Sequence, residues 1–352
     1  MQNWTHSAVE AIESDFHRSA DTHLIKLALD ACPNIDVYLK DESIHPTGSL
    51  KHRLARSLFL YAICNGWLSE GKPVIEASSG STAISEAYFA RLLQLPFHTV
   101  IPAGTSKQKI HQIEFLGGTC HLCEGTDIYD AATELARELD GHFMDQFTYA
   151  ERATDWRGNN NIAESLFRQM EHERFPIPSW VVTSAGTGGT SATIGRFIRY
   201  RKLDTKLCVA DPENSVFYDF FHTGDRTLRS KLPSRVEGIG RPRVEASFVP
   251  TVIDAMQQVP DAAAFAAIRV LEKMIDRKCG GSTGTNLWAV ARIISQMQSS
   301  GESGSIVTLI CDSGDRYLDT YYNDDWLASK QIDIVPYQAQ FEDFVGTGML
   351  AE

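Results

Sequence analysis

Apolar and polar residues alternate along the chain in blocks that predict strands followed by helices. Apolar residues recur at helical spacing from Leu50 to Tyr61, whereas short continuous apolar runs over 74–77 and 180–183 indicate buried strands. The pattern predicts helices over 6–18, 50–65, 83–93, 107–115, 128–139, 191–201, 262–275 and 287–297, and strands over 24–27, 37–39, 74–77, 97–101, 119–122, 142–145, 180–183, 207–210 and 306–310. Strands alternating with helices of about 10 to 15 residues form βαβ units around a parallel sheet, so the predicted fold class is α/β.

A polar segment over residues 151–161 interrupts this alternation and is the candidate crossing between two lobes. With 352 residues and 43% apolar content, the chain is long enough for two lobes with ample cores. We predict a discontinuous large domain, residues 1–48 and 157–352, and a small lobe over residues 49–156.

Composition narrows the class of partner. A formal net charge of −12 and an isoelectric point near 5.4 argue against nucleic acid and against an anionic membrane surface. No apolar run approaches the roughly 18 residues of a membrane span, and no basic, then apolar, export signal begins the sequence. Seven cysteines, an odd number, do not form a disulfide framework, so we expect a reducing cytoplasm. Cys120 and Cys123 lie in a predicted strand, where positions three apart face opposite ways, and no metal site is predicted.

Lys51 occupies an unusual position for a cation. A proline and a glycine break the preceding strand, and Ser49 or Thr47 offers an N-cap, so Lys51 falls in the first turn of a helix. The positive end of the helix dipole and the nearby Arg53 both disfavour an ammonium there. A neutral lysine is a nucleophile suited to Schiff-base chemistry, although this stretch alone also fits an ordinary surface lysine.

A glycine-rich loop follows the predicted strand over 180–183. Its residues are Gly186, Thr187, Gly188, Gly189 and Thr190. Backbone N–H groups and a helix N-terminus converge in such a loop and bind phosphate. No Gly-Lys-Ser/Thr follows, as a Walker A loop requires, and the third glycine of the dinucleotide fingerprint is missing. A phosphate monoester is therefore the favoured ligand, with a glycine turn that binds nothing as the alternative.

Two further loops of small residues precede predicted helices. The first contains Ser78, Ser79, Gly80, Ser81 and Thr82, and the second contains Ser282. The first loop is rich in hydroxyls and lacks a basic residue, so it suits a small carboxylate, although a simple capped helix explains it equally well. Taken with Lys51, the three loops indicate a phosphate, an amine-reactive carbonyl and a carboxylate-bearing substrate, which pyridoxal phosphate with an amino acid satisfies.

These motifs resemble those of the fold-type II pyridoxal-phosphate enzymes, the group of cysteine synthases and cystathionine β-synthases, along nearly the whole chain. The resemblance implies a homodimer of two-lobed, three-layer αβα subunits of the tryptophan synthase β type, with the cofactor in the cleft between the lobes. It implies that Lys51 binds the cofactor as a Schiff base, that loop 186–190 binds the phosphate and that Ser282 bonds the pyridine nitrogen. The substrate-binding residues that it implies are Ser78, Ser79, Gly80, Thr82, Gln146 and Gly238.

Departures from the family pattern indicate a branch. Ser81 stands where the family usually has an asparagine that contacts the cofactor's phenolic oxygen, so we expect Ser81 to act there through a water or another donor. Residues 19–23, 155–161, 237–243 and 281–288 resemble the bacterial cysteine desulfhydrases. This likeness implies degradation of L-cysteine to hydrogen sulfide, pyruvate and ammonia, with Lys51 as the base that removes the α-proton. A β-replacement synthase shares the first half of that reaction and remains open, as do a nicotinamide-dependent oxidoreductase and a non-catalytic protein of this fold.

Overall fold

The computed structural model describes residues 2–18, 21–124, 127–158 and 161–351. Residues 19, 20, 159 and 160, which belong to two of the stretches that resemble the desulfhydrase branch, lie outside the described residues. The chain divides into two compact units. Residues 1–21 and 45–155 form the small unit, and residues 22–44 and 156–352 form the large unit.

The N-terminal residues belong to the small unit, whereas the sequence pattern assigned them to the large domain. Helix α1 (Gln2–His17) packs on α2 (Lys51–Cys64) and buries Ala8 and Ile12 in the same hydrophobic cluster as Phe59. Apolar spacing revealed this helix but not its packing partner, which is why the predicted boundary differs from the observed one.

The small unit is built on a parallel sheet with the strand order β5, β4, β3, β6 in the described part of the chain. These strands are β3 (Val74–Glu76), β4 (Phe97–Pro102), β5 (Gly118–Cys123) and β6 (His142–Phe143). The helices beside α1 and α2 are α3 (Ser81–Leu92), α4 (Lys107–Phe115), α5 (Ile128–Glu138) and α6 (Gln146–Ala153). Helices α1, α2 and α3 share one apolar core around Phe59 and Phe89, which holds the starts of α2 and α3 in fixed positions.

The large unit is built on a mixed sheet with the order β1, β2, β10, β7, β8, β9 among the described residues. The strands are β1 (Leu24–Leu27), β2 (Ile35–Asp41), β7 (Trp180–Ser184), β8 (Lys206–Pro212), β9 (Ala255–Val259) and β10 (Gly304–Ile310). Only β1 runs antiparallel to its neighbour within this described sheet. Every residue of β2 and β10 is buried, so helices cover both faces of the sheet, as continuous apolar strands predict.

The helices of the large unit close its core. They are α7 (Ile162–Met170), α8 (Gly189–Arg201), α9 (Phe217–Thr223), α10 (Asp261–Ile275), α11 (Gly281–Ser300), α12 (Asp324–Ser329) and α13 (Val335–Thr347). Trp288 of α11 stacks on Phe341 of α13, and Phe344 is buried beside them. The segment over 331–352 therefore packs on its own unit through α13.

The α/β class and the parallel-rich sheets agree with the pattern of the sequence, but some elements escaped it. Helices α6, α7, α9, α12 and α13 and strand β9 were not predicted. Strand β9 and helices α9 and α12 span only five to seven residues, too few for an apolar period to stand out. The strand predicted over 142–145 ends at Phe143 because Asp145 adopts a left-handed conformation and caps α6, accepting a bond from Thr148 N. Within the described ranges, no helix is long and apolar enough to cross a membrane.

Candidate active site

Lys51 is the first residue of α2 and is half-buried. The N-cap is Leu50, without a side-chain hydrogen bond, so the prediction that Ser49 or Thr47 caps this helix is wrong. Thr47 is engaged elsewhere: its Oγ1 lies 2.9 Å from Ser85 Oγ in α3 and 3.2 Å from His52 Nδ1. The turn that carries Lys51 is thus tied to the first half of α3.

Arg53 does not act on its surroundings as an isolated cation. Its guanidinium bonds to Asp21 Oδ1 at 3.0 Å, and both side chains are largely buried. The carboxylate compensates the arginine charge, which weakens the electrostatic argument that Arg53 disfavours an ammonium at position 51. The pair also joins the segment after α1 to α2.

The loop that precedes α3 brings several predicted substrate-binding residues together. Gly80 is the N-cap of α3, and its N–H donates to Ser78 Oγ at 3.3 Å. The carbonyl oxygen of Ser78 accepts a bond from Thr99 Oγ1 at 2.6 Å. Thr82 Oγ1 donates to Gln146 Oε1 at 2.8 Å, so Thr82 and Gln146 lie side by side although 64 residues separate them. Loop 78–82 and Gln146 are therefore linked by hydrogen bonds, as expected if both bind the same substrate carboxylate.

Two glutamates outside the predicted site lie beside this loop. Glu76 ends β3 and Glu86 lies in α3, and both are completely buried. Burial, more than any neighbouring charge, raises the pKa of both carboxyls. The sequence contains a signal for both residues. Glu76 lies in an apolar strand and Glu86 on an apolar face of a helix, where acidic residues are rare.

Loop 186–190 joins β7 to α8 as predicted, and neighbouring backbone shapes it closely. Gly188 has a φ of +88°, and a Cβ there would lie 2.7 Å from Phe248 Cα. A Cβ on Gly186 would lie 2.1 Å from the carbonyl oxygen of Gly238. Ser247 Oγ donates a short hydrogen bond to the carbonyl oxygen of Thr187. These two positions need glycine because the chain passes directly behind them.

The turn around Ser282 lies beside the carboxyl end of β10. Gly280 N donates to the carbonyl oxygen of Asp312 at 3.2 Å, and Cys311 N donates to Thr283 Oγ1 at 3.2 Å. Helix α11 already begins at Gly281, so most of the predicted glycine-rich turn is the first turn of a helix. Ser282 is 5% exposed, and its hydroxyl makes no hydrogen bond to another residue in the described part of the chain, which leaves it available to a ligand.

A single segment connects the two loops of the large unit. Gly238 contacts Gly186, and Val236 contacts Gly281 at the start of α11. The N–H of Glu237 donates to Tyr321 Oη at 2.9 Å, which fixes the segment between these contacts. The large unit therefore brings loop 186–190, Gly238 and the Ser282 turn together, whereas the small unit brings together the Lys51 turn, loop 78–82 and Gln146.

Glycine caps the helices at all three predicted loops. The N-caps of α3, α8 and α11 are Gly80, Gly188 and Gly280, none of which has a side chain that could cap its helix. At the start of α8, Gly189 N donates instead to Thr187 Oγ1 at 3.2 Å. The first N–H groups of a helix have no partner within it, so an uncapped start can bind an anion. The residues present therefore fit a phosphorylated cofactor in the large unit and a carboxylate in the small unit. No cluster of metal-ligating side chains occurs among the residues that the structure describes.

Comparisons with known proteins agree with this chemistry. A family model described as "Pyridoxal-phosphate dependent enzyme" matches residues 18–312. The chain is 57% identical over 337 residues to L-cysteine desulfhydrase Cds1 of Mycobacterium tuberculosis (strain ATCC 25177 / H37Ra), which covers 94% of this chain and 92% of that protein. It is 28% identical to a cysteine synthase of Aquifex aeolicus over 83% of this chain and 85% of that protein. The crystal structure of O-ureido-L-serine synthase matches with a TM-score of 0.74 and 25% identity over 87% of this chain and 96% of the other.

Proposed function

Because the chain belongs to the pyridoxal-phosphate-dependent enzyme family, we propose that it is a carbon–sulfur lyase that degrades L-cysteine to hydrogen sulfide, pyruvate and ammonia. The observation that carries this proposal is the 57% identity to the mycobacterial L-cysteine desulfhydrase over 94% of the chain. The reaction balances with one water: cysteine and water give hydrogen sulfide, pyruvate and ammonia.

The large unit holds the cofactor in this proposal. The N–H groups of loop 186–190 and of the first turn of α8 would hold its phosphate, beside the N-cap Gly188, which carries no side chain. Ser282 bonds the pyridine nitrogen through a hydroxyl, which does not force a proton onto that nitrogen as a carboxylate would. When bound, pyridoxal phosphate supplies an electron sink for the negative charge that develops at the substrate α-carbon.

The small unit binds the substrate and moves its proton. The N–H and hydroxyl groups of Ser78, Ser79, Gly80 and Thr82 bind the substrate carboxylate, with Gln146 held against Thr82 at 2.8 Å. Ser81, the first residue of α3, would contact the phenolic oxygen of the cofactor through a water or another donor. Lys51 holds the cofactor until substrate binds, and its neutral amine then takes the α-proton as the carbon–sulfur bond breaks and the electron pair leaves with hydrosulfide. Gly238, beside Gly186, contributes backbone to the substrate pocket.

The test is to incubate the holoenzyme with L-cysteine alone and to measure sulfide and pyruvate together. We expect the two products in equal amounts. Sulfide without pyruvate would overturn the lyase proposal, because a replacement reaction releases sulfide while it consumes a second nucleophile.

A β-replacement reaction is the second candidate, favoured by the 28% identity to a cysteine synthase and the likeness to O-ureido-L-serine synthase. Supplying O-acetylserine with sulfide, and serine separately, distinguishes the two candidates. Formation of cysteine at a rate above that of cysteine breakdown would favour the synthase.

We further propose a homodimer in a reducing cytoplasm. None of the seven cysteines forms a disulfide among the described residues, which suits that compartment. The dimer rests on the family resemblance, and sedimentation of the holoenzyme tests it.

A further inference from the structure

The most unusual pair of side chains outside the proposed site is Glu76 and Glu86. Both are fully buried, and the charge of Glu76 acts on the carboxyl group of Glu86. Glu76 Oε1 accepts a hydrogen bond from Ala77 N at 2.7 Å, and Glu76 Oε2 accepts one from Gln146 N at 3.3 Å. One carboxylate thus holds the residue that leads into loop 78–82 and the first residue of α6.

Glu86 has no such donors. Neither of its oxygens has a hydrogen-bond donor among the described residues if both carboxyls are ionised. Two buried carboxylates that interact cannot both ionise without a large penalty, and a buried anion without donors is costly in itself. A proton on Glu86 removes both problems, because Glu86 then donates to Glu76.

The electrostatics assign the proton to Glu86. Burial and the charge of Glu76 raise the pKa of Glu86 well above its usual range. Burial also raises the pKa of Glu76, but the hydrogen bonds from Ala77 N and Gln146 N oppose that rise. Asp145, the N-cap of α6, is the other charged group that acts on Glu76, and it too is acidic. The donors Ala77 N and Gln146 N, the latter at the N-terminus of α6, therefore favour the negative charge on Glu76 over a charge on Glu86.

We propose that Glu86 is a positioning residue which, as a neutral acid donating to Glu76, fixes loop 78–82 and Gln146 at the separation that binds the substrate carboxylate. This inference rests on the proposed carboxylate role of that loop. Glu76 reaches Ala77 on one side and Gln146 on the other, and Gln146 in turn accepts from Thr82. Losing the proton would set two negative charges against each other at the centre of this group and loosen it.

Two variants of the holoenzyme separate the hydrogen bond from the volume of the side chain. Glu86→Gln keeps a donor and cannot titrate, whereas Glu86→Leu keeps a similar volume without a donor. We expect KM for cysteine to stay within about 2-fold of wild type in Glu86→Gln and to rise about 10-fold in Glu86→Leu, with kcat changed by less than about 3-fold in both. The thiol and amino groups of cysteine titrate at alkaline pH for every variant, so we expect KM to rise more steeply with pH in the wild type than in Glu86→Gln. Equal KM values and equal pH profiles in wild type and both variants would overturn the proposal.

Two measurements without substrate keep the test independent of the proposed reaction. Amide hydrogen exchange at Ala77 and Gln146 should be faster in Glu86→Leu than in Glu86→Gln, with the rest of the small unit unchanged. The infrared difference spectrum of wild type minus Glu86→Gln at neutral pH should contain the carbonyl band of a protonated carboxylic acid. If the band is absent, Glu86 is not a neutral acid, whether or not the enzyme degrades cysteine. If the band is present but the enzyme does not degrade cysteine, the proposed function is wrong and the proposal for Glu86 is not.

Discussion

Gly186 and Gly188 offer a quantitative test of how the large unit holds the phosphate of its cofactor. Alanine at 186 meets only a steric conflict, because the backbone there is not left-handed: its Cβ would lie 2.1 Å from the carbonyl oxygen of Gly238. Alanine at 188 meets two conflicts, a φ of +88° and a Cβ 2.7 Å from Phe248 Cα. Gly224, the C-cap of α9 in the same unit, has a φ of +71° and open space, so Gly224→Ala is the control for backbone strain alone.

The geometry predicts how strongly each substitution affects stability and cofactor affinity. A left-handed residue other than glycine costs about 1–2 kcal/mol, which would lower the melting temperature by a few degrees in Gly224→Ala without affecting the cofactor. In Gly186→Ala the backbone must separate from 2.1 Å to at least the 3.0 Å found between real Cβ atoms and their neighbours, a movement of about 0.9 Å. A hydrogen bond to a charged group contributes about 1.5–3 kcal/mol, and a displacement of this size breaks such a bond between a backbone N–H and the phosphate. We therefore expect the affinity for pyridoxal phosphate to fall by about 10- to 100-fold in Gly186→Ala, at 1.4 kcal/mol per factor of ten.

The assay is a spectroscopic titration of each apoenzyme with pyridoxal phosphate, together with thermal unfolding of the same samples. Gly188→Ala should lose both affinity and stability, because strain and contact act together. If Gly186→Ala is folded and binds the cofactor as tightly as Gly224→Ala, loop 186–190 does not hold the phosphate.

Three further predictions concern other parts of the chain. Lys51→Ala should lose both turnover and the visible absorbance of the bound cofactor, and persistent turnover would contradict its role as base. Burial raises the pKa of Asp211 from 3.8 to about 7. Between about pH 4 and pH 7 the folded state therefore keeps a proton on Asp211 that the unfolded state has lost, so the free energy of unfolding falls as pH rises through this range. Asp211→Asn should flatten that part of the curve of unfolding free energy against pH, by at most about 1.4 kcal/mol per pH unit, and an unchanged slope would contradict the assignment. Gly80→Asp should raise KM for cysteine at least about 10-fold by placing a carboxylate at the start of α3, whereas Ser106→Asp, at the N-cap of α4, should leave KM unchanged.

The order of strands and helices was predictable because it depends on the local apolar period. The same is true of Lys51 in the first turn of a helix, and of loop 186–190 between a strand and a helix. Contacts between distant residues were not predictable. Thr47 looks like a helix cap in the sequence, yet its hydroxyl bonds to Ser85, 38 residues away. A local pattern cannot weigh a cap against a partner that only the folded chain provides.

The buried carboxyl groups of Glu76 and Glu86 also show that a local sequence pattern does not predict contacts between distant residues. Glu76 and Glu86 are the residue type least expected inside an apolar strand and helix, so their positions could have been flagged from the sequence. Their proximity could not, since it depends on where the folded small unit places α3 relative to the end of β3. Likewise the need for glycine at 186 comes from Gly238, which approaches it only in the folded large unit.

The distribution of helix caps gives an independent argument that the loop before α3 serves a ligand. Helices α5, α6, α7 and α12 begin with Asp or Asn side chains that bond to their own N–H groups. Among the helices whose N-caps the structure describes, glycine occurs at this position only in α3, α8 and α11. Packing requires glycine in two of them, because a Cβ at Gly188 would lie 2.7 Å from Phe248 Cα and a Cβ at Gly280 would lie 1.9 Å from Asp312 Oδ1. At Gly80 a Cβ would meet nothing within 4 Å, so packing does not require glycine there. Without a side chain, Gly80 lets an anion reach the N–H groups of α3 directly, at a cost of only a few tenths of a kcal/mol relative to a polar cap. The helix start that stays accessible without a packing reason is thus the one at which we propose that the substrate carboxylate binds.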